Sequence, residues 1–174
     1  MRLKQGNKAP EFKTKDYLGR DVDLSSYKGK KILLSFFRGA SCPFCNLRVH
    51  QLIKNHSELE KKGIKIIAFF SADNEEIKQY AGKQTPPFSI VADPDFQIYK
   101  QYGVESSMSG MFKAMLRMGT MIKMMVDGFF NMKSMSDKPL LPADFLIDEN
   151  GIINESFYGS DFGDHIDLNK VLNW

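Results

Sequence analysis

Two apolar runs, "KILLSFF" at 31–37 and "IKIIAFF" at 64–70, constrain the fold more than any other feature of the chain. Both lack Gly and Pro, and neither shows the polar alternation of a half-exposed strand. Such runs suit strands covered on both faces, the kind found in parallel sheets whose crossovers are helices. The segment between them supplies that crossover: Leu47, Leu52, Ile53 and Leu59 fall near helical spacing, and the pattern closes at Gly63.

The alternation continues. "NEEIKQYAGK" (74–83) reads as a helix, "PFSIVAD" (87–93) as a third strand, and "DPDFQIYKQYG" (93–103) as a helix ending at Gly103. "ADFLIDENGIINESFYG" gives two strands joined by the turn formers Glu149, Asn150 and Gly151, and "DHIDLNKVLNW" a short closing helix. The opening, rich in turn formers, is a short hairpin and a loop. These elements specify an α/β fold with a mixed central sheet flanked by helices. At 174 residues the chain is one domain, 1–174.

Residues 104–141 break the alternation and hold nine of the ten methionines. Met111, Met115, Met118, Ile122, Met125, Phe129 and Met132 recur at steps of four and three, a helical stripe. Lys113, Arg117, Lys123 and Asp127 argue against a membrane span, and Gly119 and Gly128 divide the helix. The stripe is either core packed on the sheet or an adaptable surface for a substrate, a lid or a second subunit.

The 24 basic and 21 acidic residues are interspersed, so the net charge of +3 gives nucleic-acid binding little support. The N-terminus lacks the apolar run of a signal peptide, and no segment is long and uncharged enough for a bilayer. A cytoplasmic setting is expected. "GSDFGD" lacks dinucleotide-fingerprint spacing and no phosphate loop follows a strand, so no nucleotide or flavin cofactor is inferred.

The chemistry concentrates in "RGASCPFCNLRVHQL" (38–52), which holds both cysteines of the chain, Cys42 and Cys45, at a strand-to-helix junction. Ser41 is the expected N-cap, and Pro43 suits the first turn because its missing N–H would have no helical partner. Zinc needs about four ligands, and there is no third cysteine or spaced histidine pair; His50, His56 and His165 do not complete a site. Two buried apolar cysteines would be the ordinary alternative, but the location favours chemistry. A thiol at a helix N-terminus meets unpaired N–H groups and the positive end of the macrodipole, which favour thiolate, and Arg38 adds charge nearby. A second cysteine one turn on can attack a mixed disulfide and release the product. His50 and His56 on that helix are expected to be solvated or packed, and Asp148 belongs to a turn.

"GNKAPEFKTKDYLGRDVDLSSYKGKKILLSFFRGASCPFCNLRVHQL" resembles the opening of the redoxin, or AhpC/TSA, branch of the thioredoxin superfamily. "FFRGASCPFCNLRVHQL" is similar to peroxiredoxin-like members whose active-site helix begins with an arginine, a glycine and a C-P-aromatic-C pair, and "LLPADFLIDENGIINESFYG" to the late strand pair. The resemblance implies a thioredoxin-like fold with an N-terminal hairpin extension, here with a Met-rich helical insertion at about 104–141. It implies reduction of disulfides or hydroperoxides, with electrons from a thioredoxin-like or glutathione-linked donor, and is compatible with a homodimer.

In dithiol members a cis-proline precedes the third core strand and faces the sulfurs; by position that role falls on Pro142, the alternative being an ordinary trans proline that starts a strand. Peroxidase members carry a threonine or serine three residues before the reactive cysteine, a proline four before that, and an arginine that polarises the peroxide. With Cys45 in the reactive place, Cys42 takes the hydroxyl position, Arg38 the proline position, and Pro142 stands where the arginine often lies. The leading expectation is therefore disulfide exchange with Cys42 attacking and Cys45 resolving. A peroxidase with either cysteine first, charge coming from Arg38 or Arg117, is the alternative within enzymes. A redox-inert binding module using the Met-rich stretch is the alternative outside them.

Overall fold

The computed structural model describes residues 1–104, 106, 126, 128 and 139–174. Apart from those few positions, the expected Met-rich insertion, with its stripe and Arg117, lies outside the described residues.

The N-terminal hairpin pairs β1 (Lys13–Lys15) with β2 (Asp21–Asp23). The main sheet contains β3 (Lys31–Phe36), β4 (Ile64–Phe70), β5 (Ser89–Ala92), β6 (Ala143–Ile147) and β7 (Ile153–Tyr158), in the order β5-β4-β3-β6-β7. β3, β4 and β5 run parallel, while β6 and β7 are antiparallel additions to the β3 side. The expected mixed sheet is thus present, and β3 lies at its centre.

Both faces of that sheet are covered, which is why the two diagnostic runs contain so few polar residues. Leu33, Ile66, Ala68, Phe70, Ile90 and Leu146 pack with Val49, Leu52 and Leu59 of α1 (Pro43–Lys61). Two shorter helices follow in the chain, α2 (Asn74–Gln79) and α3 (Gln97–Gln101). On the opposite face Leu34, Phe36, Ile67, Phe69, Phe145 and Ile147 pack with Tyr99 and Tyr102, around α3. Tyr99 ties that layer to the sheet: its hydroxyl donates to the Phe37 carbonyl at 2.6 Å.

Both short helices fall below the length of their sequence patterns. The Asp93 carboxylate accepts the N–H groups of Gln97, Ile98 and Tyr99 at 2.9, 2.7 and 3.2 Å, so 93–96 form the turn that opens α3. The 74–83 segment divides into α2 and a 3-10 turn (Ala81–Gln84). Gly82 sits so close to Tyr17 that a Cβ would lie 2.9 Å from its ring. The closing helix is α4 (Leu168–Leu172). No described helix is long and apolar enough to cross a membrane.

Candidate active site

β3 ends at Phe36, and its direction continues through Phe37, whose N–H donates to the Phe69 carbonyl at 2.8 Å. The chain then crosses the C-terminal end of the sheet, with the Ser71 N–H on the Arg38 carbonyl at 3.3 Å, and turns so that the Cys42 N–H reaches the Gly39 carbonyl at 3.1 Å. Cys42, not Ser41, is the N-cap of α1. The reason is Pro43: it occupies the first helical position and forces the residue before it out of helical conformation, and Cys42 has φ −65° and ψ 122° accordingly.

Asn46 fixes this turn to the helix. Its Nδ2 donates to the carbonyls of Ala40 (2.7 Å) and Cys42 (2.9 Å), and Gln84 Nε2 donates to the Asn46 carbonyl at 3.1 Å. Neutral hydrogen bonds of this kind contribute about 1 kcal/mol each. The sulfur pair is therefore held on a defined backbone.

Both cysteines are free thiols and both are buried, at 0 % and 1 % exposure. Their acidities diverge. Burial pushes the Cys42 thiol up, but hydrogen bonding from Cys45 and the charge of Arg38 outweigh it and bring it down to about 7. Burial and the developing charge on Cys42 push Cys45 well above the ordinary thiol value. The two thiols thus differ in acidity, Cys42 being the more acidic of the pair.

Arg38 is itself buried, and its guanidinium carbon lies 4.1 Å above the centroid of the Phe162 ring. Pro142 sits immediately before β6. The Phe36↔Ala143 register places it beside the end of β3, where the cysteine loop departs. Its peptide bond is trans, since no described residue has a cis peptide, so the expected cis-proline is corrected. The strand simply begins there, with the Pro142 carbonyl accepting the Gly159 N–H at 2.8 Å. Cys42, Cys45 and Arg38 lie near enough to influence one another's charge. His50 and His56 lie on α1, with His56 against Phe88 at 6.2 Å between rings.

A buried polar cluster of Asp144, His165 and Arg48 is not among the catalytic candidates read from the sequence, where His165 enters only as an incomplete zinc ligand. Asp144 is fully buried in β6, and His165 Nδ1 lies 3.0 Å from its Oδ2. The same carboxylate accepts the Ile166 N–H at 2.9 Å, and Arg48 Nη2 donates to the Ile166 carbonyl at 2.8 Å. Burial pushes Asp144 up, but the charges of His165 and Arg48 more than offset it and hold its carboxyl below the ordinary range. The one visible signal is an aspartate inside the otherwise apolar "ADFLI". Its partners, 21 or more residues away in sequence, give none.

Residues 5–156 match the AhpC/TSA family. The chain is 29% identical to "Peroxiredoxin Bcp" of Escherichia coli over 172 residues, 99% of this chain and 95% of that one. Among solved structures it is similar to the peroxidoxin BcpB of Mycobacterium tuberculosis (TM-score 0.71, 15% identity, 99% and 96% covered). It is also similar to a putative thiol:disulfide interchange protein DsbE from Chlorobium tepidum (TM-score 0.62, 20% identity, 88% and 84% covered).

Proposed function

The chain belongs to the AhpC/TSA family and is a thiol-dependent oxidoreductase, and we propose that within that family it is a thiol peroxidase with Cys42 attacking and Cys45 resolving. The observation that carries this is the position of Cys42 at the N-cap of α1, with Arg38 and Cys45 supporting its thiolate. The Cys42 thiolate attacks one oxygen of a hydroperoxide and the O–O bond breaks. Cys42 becomes a sulfenic acid and the alkoxide or hydroxide leaves, taking a proton to become alcohol or water. The Cys45 thiol then condenses with the sulfenic acid, forming the disulfide and releasing water. A thioredoxin-like or glutathione-linked dithiol returns two electrons and two protons.

The peroxiredoxin relative supports peroxide over disulfide as the oxidant, reversing the order expected from the C-P-F-C pair alone. Arg38 supplies the positive charge beside the attacking sulfur, in place of the separate arginine of other peroxidase members. Pro142 shapes the apolar wall at the end of β3 as an ordinary trans proline. The setting proposed is the cytoplasm, where such donors are available.

A second reading rests on the spacing itself: one helical turn between two thiols suits exchange with an external disulfide equally well. Stopped-flow oxidation by hydrogen peroxide and by an organic hydroperoxide, beside a model disulfide, separates the two. Peroxide oxidation far above the free-thiol rate, lost in Cys42→Ser, is expected. Oxidation no faster than a free thiol, with rapid disulfide exchange, would establish the second reading instead.

A further inference from the structure

The segment joining β7 to α4 wraps the cysteine motif from end to end. Gly159 meets Pro142, where a Cβ would lie 2.9 Å from the proline Cγ. Phe162 carries the Arg38 guanidinium on its face, and both side chains are buried. Gly163 approaches Phe44, between the two cysteines, so closely that a Cβ would lie 2.8 Å from its ring. The His165 ring packs on Phe37 at 4.9 Å, and Ile166 joins the same apolar cluster as Cys42 and Cys45.

The segment is also pinned. Ser160 N–H and Oγ donate to the Asp164 carboxylate at 2.8 and 2.9 Å, and the Gly163 N–H donates to Asp161 Oδ1 at 2.9 Å. Asp144 and Arg48 hold its far end through Ile166. A loop with this many bonds presents Phe162 in one place.

We infer that Phe162 is a positioning residue for the dithiol: its ring, fixed by the 159–166 loop, holds the Arg38 guanidinium against the Cys42 sulfur. The inference rests on the reading of Cys42 as the attacking sulfur. A buried arginine on a flexible three-carbon stem has several rotamers, and only one that faces the sulfur stabilises a thiolate. An aromatic face within ~6 Å attracts the cation while leaving its edge N–H groups for hydrogen bonding. The other titratable groups do not substitute for it. Tyr99 bears on Cys45, and Asp144, His165 and Arg48 close on one another behind Phe37.

The test is a pH titration of thiolate absorbance in the full chain, which requires no access to the buried sulfur. Phe162→Leu keeps an apolar side chain and loses the ring. Its Cys42 midpoint is expected to rise by about one pH unit, a tenfold loss of thiolate below the midpoint, with Phe162→Tyr restoring the wild-type value. Phe162→Met serves if the leucine variant does not fold. A folded leucine or methionine variant with the wild-type midpoint overturns the inference. Arg38→Met separates the two levels. If it raises the midpoint while the Phe162 variants do not, Phe162 has no positioning role and the Cys42 reading stands. If the wild type itself titrates as an ordinary thiol, both fall.

Discussion

Removing the charge of Arg38 while keeping its bulk is the sharpest probe of how the pair is activated. Methionine at 38 retains most of the side-chain length and still packs on Phe162 through its thioether. An opposite charge within about 4–6 Å lowers an acid's pKa by ~1–3 units, so Arg38→Met should lift Cys42 from about 7 by roughly one to two units. At pH 7 the thiolate fraction then falls from about one half to roughly a tenth or a hundredth. A less acidic thiol is a better nucleophile, with a Brønsted slope of ~0.4–0.5, which recovers about threefold for a one-unit rise and about eightfold for two. The net loss in exchange with a model disulfide at pH 7 is therefore only about two- to sixfold. At a pH above both midpoints the variant should be faster than wild type. Rate against pH for both proteins measures this crossing. Parallel curves with a common midpoint would show that Arg38 does not set the acidity of Cys42, and the electrostatic account would be wrong.

Cys45→Ser should stop after one peroxide turnover with a sulfenic acid on Cys42 that dimedone traps, seen by peptide mass spectrometry; no adduct on Cys42, or an equally rapid adduct on Cys45 in Cys42→Ser, would contradict the assignment. Asp144→Ala strips the partner from His165 and the Ile166 N–H and should cost ~3–5 kcal/mol in urea unfolding, with a loss under about 1 kcal/mol refuting the buried-pair account. The same carboxylate sets an acid limb. Its folded pKa is depressed, so its contribution is full above the unfolded value near ~3.9 and is lost as pH falls through the lower folded value. Wild-type stability should therefore drop more steeply than that of the alanine variant below about pH 4. Leu52→Ala, at a fully buried site on α1 facing the sheet, should cost ~2–5 kcal/mol by the same assay without moving the Cys42 midpoint.

What the sequence exposes and what it conceals divide by range. The runs at 31–37 and 64–70 are legible because a strand buried on both faces must be apolar at nearly every position, whatever its partners. The strand–loop–helix setting of Cys42 and Cys45 is legible for the same local reason. The cap falls one residue later than expected: Ser41 has the better capping side chain, but the backbone restriction of Pro43 decides the boundary. The cis-proline expectation comes from resemblance, and nothing local to "LLPADF" distinguishes the two isomers. Phe162 and His165 are invisible because their partners, Arg38 and Phe37, lie more than 120 residues earlier, and one aromatic in a loop carries no period.

The asymmetry between the two sulfurs follows from where the helix begins. With Pro43 at the first helical position, Cys42 is on extended backbone at the N-cap and Cys45 is third within the helix. The two side chains are then neighbours across one turn, ~5–6 Å between Cβ atoms before any adjustment. A disulfide needs Cβ atoms ~3.5–4.5 Å apart, so closing the ring requires a local shift of the N-cap residue and no unwinding of α1. Asn46, whose amide grips both carbonyls of the turn, sets the resistance to that shift. Asn46→Ala should speed condensation of the Cys42 sulfenic acid with Cys45 while costing ~1–3 kcal/mol of stability, since the helix and the turn would separate more easily. Rapid-quench trapping after peroxide addition reads the sulfenic lifetime directly. An unchanged lifetime in a folded Asn46→Ala protein would mean that the pair already lies at bonding distance, with the reaction limited by proton loss from Cys45 rather than by geometry.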